Sequence, residues 1–165
     1  MKTVHQVHII DFTMRVLAVD PGEKNIGIAI SDAEGVLARP LKIIKHVSRE
    51  KDAEQIIGLA EVHLCELIVV GQALDGDGQV GNKARSAQKL AGVLAQKTGL
   101  PIQLWDESNT SSRIHEIDLQ VGRSRKKRKA LIDDRAAALL LDDFLCSAQF
   151  STIKEGVNGK KTEAE

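Results

Sequence analysis

The chain has 165 residues, 42% hydrophobic and 28% charged, with 23 basic and 23 acidic side chains. This length suits one domain with a hydrophobic core, and no apolar run approaches the roughly 20 residues of a membrane span, so we expect no membrane partner. The N-terminal segment lacks the apolar stretch of a secretory signal, which predicts a cytoplasmic protein. Zero net charge argues against a general polyanion binder, and three phenylalanines and one tryptophan are too few for extensive base stacking.

The first strong pattern is a β-hairpin. The apolar run 16–19 ends in Asp20 and a Pro-Gly turn, and in residues 26–30 isoleucine alternates with Gly27 and alanine. Asp20 would therefore stand where the first strand ends. Gly22 and Gly27 remove side chains there and would allow a bulky anionic ligand to approach the backbone.

Further elements follow in alternation. Residues 36–44 predict a third strand, in which Pro40 marks a bulge or an edge position, and Ser48 is a suitable N-cap for a helix. The remaining elements are a helix to about residue 63, a strand at 67–71, a helix at 83–97, a strand at 102–105, a short helix at 109–121 and a last helix from about Asp133 to Cys146. This order predicts an α/β fold with a mixed sheet and helices on its faces.

Both ends of the chain look different from its middle. We expect residues 1–13 to be an N-terminal extension, residues 14–147 to be the folded domain and the polar residues 148–165 to be a disordered tail. Cys65 and Cys146 lie among leucines on predicted helices, which favours buried thiols over a disulfide or metal pair.

Carboxylates stand at the ends of three elements. They are Asp20, the pair Asp106 and Glu107, and the pair Asp133 and Asp134. Side chains alternate along a strand, so only one of Asp106 and Glu107 can face the same way as Asp20. Converging carboxylates repel each other unless a cation is bound, and a hard divalent ion prefers oxygen ligands. A helix cap at Asp133 is the simpler alternative for that residue alone.

A strongly basic segment lies between the last two acidic positions. Six of the seven residues 123–129 are Arg or Lys, in what looks like a loop from 122 to 129. A solvated run of charge is one interpretation, but the position beside acidic chemistry favours contact with phosphates. The candidate nucleic-acid contacts here are Arg125, Lys126, Lys127 and Arg128. Lys24, in the hairpin loop, is another.

Four motifs resemble the YqgF/RuvX family of ribonuclease-H-like proteins. They are DPGEKNIGIAISD, VVGQALDGDG, DESNTS and IDDRAAALLL, and they run in that order between residues 14 and 146. The resemblance implies a ribonuclease-H-like mixed sheet, three antiparallel strands followed by parallel strands, flanked by helices. It also implies an acidic site that uses Mg²⁺, with Mn²⁺ as the alternative ion. Matched by motif, the catalytic and metal-binding residues would be Asp20, Glu107 and Asp133.

The resemblance implies a function as well. Family members are described as nucleases that mature the 5′ end of 16S ribosomal RNA in ribosome biogenesis, and as Holliday junction resolvases of DNA recombination and repair. We therefore expect a metal-dependent nuclease that hydrolyses phosphodiester bonds in precursor rRNA, with branched DNA as the alternative substrate. A catalytically silent nucleic-acid-binding factor of the same fold is a further alternative. The protein would be a monomer or a homodimer.

The chain departs from the family pattern at two places. Ser108 stands where the second acidic motif usually has arginine, and Gln72-Ala73 stands where the strand-and-loop motif usually has Leu-Pro. Arg113 is a candidate substitute for the missing arginine in phosphate contact. An Asp-x-Gly hairpin also opens the ATP-binding actin and sugar-kinase folds, but those place nucleotide between two domains, and this chain has the length of one.

Overall fold

The computed structural model describes residues 13–107 and 125–162, and within these ranges it describes the side chains of 13–107 and 135–156. Five strands form one mixed sheet in the order β3-β2-β1-β4-β5. β1–β2 and β2–β3 are antiparallel pairs, whereas β1–β4 and β4–β5 are parallel. The predicted α/β fold, with three antiparallel strands followed by parallel strands, is confirmed. The elements are β1 (Val16–Pro21), β2 (Asn25–Ser31), β3 (Ala38–Lys45), α1 (Arg49–Val62), β4 (Leu67–Gln72), α2 (Asn82–Lys97), β5 (Ile102–Asp106), α3 (Arg125–Leu145) and α4 (Ala148–Thr162).

Each face of the sheet is covered by a pair of helices. Leu17 and Val19 of β1 belong to the buried cluster that contains side chains of α1 and α2, whereas Val16 and Ala18 belong to the cluster that contains those of α3 and α4. Both faces of β1 are therefore buried, which explains its continuous apolar sequence. By the same alternation, Asp20 lies on the α3 side of the sheet.

Strand β3 forms an edge of the sheet, and its register against β2 shifts beside Pro40. Ile28 pairs with Lys42 and Ala29 pairs with Pro40, so Leu41 is the additional residue of a bulge. The edge position and the bulge expected from Pro40 are both confirmed. Proline cannot donate to a ladder of backbone hydrogen bonds, and an edge strand tolerates this loss.

Helix α1 starts where the sequence predicts. The hydroxyl of Ser48 accepts a hydrogen bond from the backbone N–H of Lys51 at 3.3 Å, as an N-cap does. Further along the helix, the buried residues Ala53, Ile56 and Ala60 recur at helical spacing and pack on the sheet.

Helix α3 begins eight residues earlier than expected. It starts at Arg125, so Asp133 lies within the helix and does not open it, and residues 125–129 of the basic segment are helical instead of forming a loop. Both expectations were wrong for one physical reason. Arg, Lys, Ala and Leu are strong helix formers, and residues 125–145 contain neither Gly nor Pro, so nothing in them stops the helix before Asp133.

Residues 148–162 form α4, where a disordered tail was expected. The side chain of Phe150 is 3% exposed, and its ring centroid lies 5.4 Å from that of Phe144 on α3. The ammonium of Lys154 lies 5.8 Å from the Phe150 ring and donates to the carbonyl of Glu34. The polar average of the segment did not indicate this order, because Phe150 and Ile153 pack on the core cluster although most of the helix is polar.

The two cysteines follow helix ends. Cys65 is buried, as predicted, but Cys146 is exposed, so the prediction of a buried thiol was wrong there. Residues 1–12 of the predicted extension and the predicted helix at 109–121 lie outside the described residues.

Membrane-spanning length was tested over the described ranges. No single helix there is long and apolar enough to cross a membrane. The segments Arg135–Leu145 and Ala148–Gly156 have the length and composition of a membrane span only when they are taken together, and they are bent by 70° to each other.

Candidate functional site

Three parallel strands bring their carboxyl ends to one edge of the sheet. Asp20 is the fifth residue of β1 and is partly buried, and Glu107 follows the last residue of β5. The backbone N–H of Glu107 donates to the carbonyl of Gln72 at the end of β4, at 3.0 Å. This bond fixes the position of Glu107 on the sheet. The carboxyl-terminal edge is where open α/β sheets commonly bind ligands.

Gly71 of β4 lies between Asp20 and Glu107. Neighbouring strands are about 4.8 Å apart, so the side chain of Glu107 has to cross the intervening strand to reach β1. A Cβ atom added at Gly71 would lie 2.9 Å from Oε2 of Glu107 and would also collide with Cδ1 of Leu140 on α3. Glycine at this position therefore leaves the space that both the Glu107 carboxyl and α3 occupy.

The surroundings of Glu107 raise its pKa to about 8. Burial is the largest cause, followed by the negative charge of Asp20, by the hydrogen bond with Asp20 and by the charge of Asp106. The positive charge of Lys83 acts in the opposite direction. These surroundings favour the protonated form of Glu107, in which its carboxyl can donate a hydrogen bond to Asp20.

Alternation along β5 separates the two acids at its end. Asp106 is exposed, whereas Glu107 is partly buried and faces Asp20. The expectation that only one of them could share a site with Asp20 is confirmed, and that one is Glu107.

An open cavity of about 490 Å³ lies beside Asp20, between the β1–β2 loop and the start of α2. Its wall includes the backbone of Gly22, whose N–H donates to the carbonyl of Asn25 at 2.9 Å. A Cβ atom at Gly22 would collide with that oxygen, so the tight turn requires glycine. Gly27, which pairs with Asp20 across the hairpin, also lines the cavity. Both glycines expected to keep this region open do lie at its wall.

Two lysines from different elements line the same cavity. Lys24, which the sequence analysis named as a candidate phosphate contact, comes from the β1–β2 loop. Lys83 comes from the first turn of α2. Sequence reasoning missed Lys83, because a lysine near the start of an amphipathic helix is ordinary surface chemistry. Its position is revealed only by the packing of α2 beside β4.

The side chains of the other predicted site residues lie outside the described ones. Position 133 lies in the middle part of α3, and Arg125, Lys126, Lys127 and Arg128 form its first turn; the side chains of all five lie outside the described ones. Arg113 lies outside the described residues altogether. Within the part of the chain whose side chains are described, no group of three His, Cys, Asp or Glu residues could hold a metal ion.

The Asp20–Glu107 pair nevertheless fits a divalent cation. Both groups offer carboxylate oxygens, which are the donors that Mg²⁺ and Mn²⁺ prefer. Burial and the charge of Asp20 favour the protonated form of Glu107, and a divalent cation would favour its ionised form instead.

A family model described as "RuvX: Holliday junction resolvase" matches residues 14–147. The chain belongs to the RuvX family. The resemblance carried by the four sequence motifs is thereby confirmed.

RuvX relatives align along nearly their whole length. A protein of Clostridium kluyveri named "Putative pre-16S rRNA nuclease" is 32% identical over 132 residues, which is 80% of this chain and 96% of the relative. A protein of Syntrophomonas wolfei with the same name is 36% identical, over 80% of this chain and 94% of the relative.

Solved structures support the fold. The Thermus thermophilus RuvC protein, solved in complex with a Holliday junction substrate, superposes with a TM-score of 0.50 over 77% of this chain and 91% of that chain. The two sequences are 18% identical, so this likeness concerns the architecture alone.

One departure from the RuvX pattern has a structural role here. Oε1 of Gln72 accepts a hydrogen bond from Nε2 of Gln88 on α2 at 3.1 Å, while the Gln72 carbonyl accepts the Glu107 N–H. A leucine at position 72 could not make the first of these bonds. Gln72 therefore joins the strand end that carries Glu107 to the helix that carries Lys83.

The close approach at Gly71 leads to a stability prediction. We expect Gly71→Ala to destabilise the fold by about 1–3 kcal/mol, because the new methyl group overpacks against Leu140 and the Glu107 carboxyl. Gly92→Ala, on α2 with no atom within 4 Å of the added Cβ, is the matched control and should stabilise by up to about 1 kcal/mol through helix propensity. Urea unfolding of both variants measures this, and equal effects of the two substitutions would contradict the steric account.

The raised pKa of Glu107 predicts a pH-dependent stability in the absence of metal. The folded-state pKa of about 8 exceeds the ordinary value of 4.5, so the unfolded chain loses its proton first, and stability falls as pH rises from about 4.5 to 8. Glu107→Gln should remove this loss. In EDTA, we expect it to match the wild type near pH 4.5 and to be at least about 1 kcal/mol more stable at pH 8, given 1.36 kcal/mol for each pKa unit.

Thermal unfolding at both pH values tests this, with the exposed Glu61→Gln as the control. Equal gains for Glu107→Gln at pH 4.5 and pH 8 would show that the carboxyl is not held in an unfavourable environment.

Proposed function

We propose that this RuvX-family protein is a metal-dependent nuclease that hydrolyses phosphodiester bonds in precursor 16S rRNA, at the 5′ end of the mature sequence. The observation that carries the proposal is the close approach of the Glu107 carboxyl to Asp20, beside a cavity that two lysines also line. The carboxylates would hold a divalent cation, and the Lys24 ammonium would hold phosphate. Together they provide what hydrolysis of a phosphodiester requires.

The chain's own residues have separate tasks in this reaction. Asp20 and Glu107 would hold Mg²⁺ or Mn²⁺, and Gly22 and Gly27 leave room for a backbone phosphate beside them. When bound, such an ion supplies Lewis-acid chemistry that activates water and stabilises the leaving oxygen. Lys24 would bind the phosphate through its charge without reading sequence.

We propose Asp133 as the third acidic ligand. Helical spacing places position 133 four residues before Ala137 and seven before Leu140, on one stripe of α3. Ala137 and Leu140 are fully buried in the cluster on the α3 side of the sheet, and Asp20 lies on that same side. The earlier start of α3 is compatible with this role, because a metal ligand need not be at a helix end.

Precursor rRNA is the favoured substrate because of the RuvX relatives, which carry the name of pre-16S rRNA nucleases and align along 94–96% of their length. Branched DNA is the second candidate, favoured by the family description as a Holliday junction resolvase. Either substrate would be compatible with the expected cytoplasmic location, and the acidic site favours a nuclease over a silent binding factor of the same fold.

The first turn of α3 is proposed to contact the nucleic acid as well. Arg125, Lys126, Lys127 and Arg128 are consecutive on a helix, so that they spread around its axis instead of lining one face. Their positive charges would attract backbone phosphates without reading sequence. Arg113 is proposed as a further contact in place of the arginine that the family has at position 108.

The nuclease proposal predicts metal-dependent cleavage by the wild type. Precursor 16S rRNA and a four-way DNA junction, each with Mg²⁺, Mn²⁺ or EDTA, are the test substrates, and product mapping identifies the cut. Asp20→Asn and Glu107→Gln should each lower the cleavage rate by at least about 100-fold, because each removes a charged metal ligand. Glu61→Gln should cleave like the wild type. Residual cleavage that is equal in wild type and Asp20→Asn would refute the proposal.

The basic first turn of α3 predicts a salt-dependent contribution to binding. Replacing Arg125, Lys126, Lys127 and Arg128 by glutamine in the Asp20→Asn background should weaken RNA binding and reduce the slope of log K against log salt by about one for each phosphate that is no longer neutralised. Lys51→Gln with Lys89→Gln, at exposed positions of α1 and α2, is the control. An unchanged slope would support the alternative interpretation, in which the segment is a solvated run of charge.

A further inference from the structure

Lys83 lies at the acidic pair without having been singled out by any sequence motif. It lines the same cavity as Asp20, and its positive charge acts on the carboxyl of Glu107. Lys83 is thus close enough to the proposed metal ligands to influence their charge state.

Several contacts fix the start of α2 and therefore the position of Lys83. The N–H of Gly78 donates to the carbonyl of Asp75 at 2.7 Å, and the N–H of Asp75 donates to the carbonyl of Gln79 at 2.9 Å. The tight loop brings the Asp75 carboxylate against Gly81, where an added Cβ would lie 2.9 Å from Oδ1. Helix α2 starts directly after Gly81. The loop sequence therefore determines where Lys83 enters the site.

A second restraint acts one turn further along the helix. The hydrogen bond between Gln88 and Gln72 ties α2 to the end of β4, and the Gln72 carbonyl accepts the N–H of Glu107. The helix that carries Lys83 and the backbone of Glu107 are therefore both hydrogen-bonded to Gln72 of β4. This connection keeps the lysine beside the acids even though its side chain is exposed.

The location of Lys83 is unfavourable for a site that binds only a cation. An ammonium near two carboxylates competes with a divalent ion for their charge and repels that ion. A phosphate resolves the conflict, because it can be attracted by the cation on one side and by lysine on the other. Lys24 lines the cavity from the β1–β2 loop, beside Glu23, so that lysines from two elements line one cavity.

We propose that Lys83 is a substrate-binding residue which, together with Lys24, holds a backbone phosphate of the nucleic acid in the cavity beside Asp20 and Glu107. The inference rests on the proposed nuclease function and extends it to a residue on α2. The start of α2 is compatible with this role, because its first turn contains no acidic residue and its N-cap glycine provides no side-chain acceptor.

The test compares Lys83→Met with Lys83→Arg and with Lys89→Met, an exposed lysine on the same helix. Nucleic-acid binding is measured in the Asp20→Asn background with EDTA, as a function of salt. Lys83→Met should make the negative slope of log K against log salt less steep by about 0.7 for single-stranded RNA. Between 1 M and 0.1 M salt, the affinity of this variant would therefore increase about fivefold less than that of the parent. Lys83→Arg and Lys89→Met should retain the parent's slope.

A second measurement distinguishes substrate binding from a structural role. Calorimetric titration with Mn²⁺ is carried out on otherwise wild-type protein without nucleic acid. Lys83→Met should bind Mn²⁺ at least as tightly as the wild type, because a repelling charge has been removed, while its RNA affinity falls. Weaker binding of both ligands would indicate a structural role and overturn the inference, and so would an unchanged salt slope.

The two proposals fail in different ways. If the wild type cleaves and Asp20→Asn does not, but Lys83→Met binds RNA with an unchanged slope, then only the role of Lys83 is wrong. If wild type and Asp20→Asn give equal residual cleavage, the nuclease proposal is wrong, whatever the binding slope shows.

Discussion

The structure depends on one unfavourable interaction, the approach of the Glu107 carboxyl to Asp20 across a strand that lacks a side chain at Gly71. Burial disfavours the ionised form of Glu107, and the negative charge of Asp20 adds to this effect. A fold selected only for stability would separate them. At pH values above the ordinary pKa of a glutamate, their proximity lowers the stability of the fold. Such a cost in stability is common at sites that bind cations or perform acid–base chemistry.

The rest of the fold keeps this pair together. Strand β1 is buried on both faces and cannot move without disturbing two cores. Gln72 fixes both the backbone of Glu107 and the side chain of Gln88 on α2. On the other face, α3 comes so close to β4 that Leu140 would meet any side chain at Gly71. Rigid elements on both sides of the sheet thus support the acids, as a preorganised site requires.

The sequence analysis predicted the features that depend on interactions between residues close together in the chain. The hairpin, the Ser48 cap, the bulge at Pro40 and the alternation that selects one acid at the end of β5 all follow from neighbouring residues. Features that depend on distant partners were not predictable. The start of α3 was missed because a capping residue was preferred to a run of helix formers. Helix α4 was missed because its contacts with the core, such as that of Phe150 with Phe144 of α3, are made between distant parts of the fold.

The position of Lys83 also changes how the departure at Ser108 should be interpreted. In sequence, the loss of the family's arginine next to Glu107 removes a positive charge from the acidic motif. In the structure, a positive charge does act on Glu107, and it comes from α2 through the packing that Gln72 and Gln88 secure. Gln72 is itself a departure from the RuvX pattern. The hydrogen bond between Gln72 and Gln88 therefore helps to position the helix that brings a positive charge to the Glu107 carboxyl.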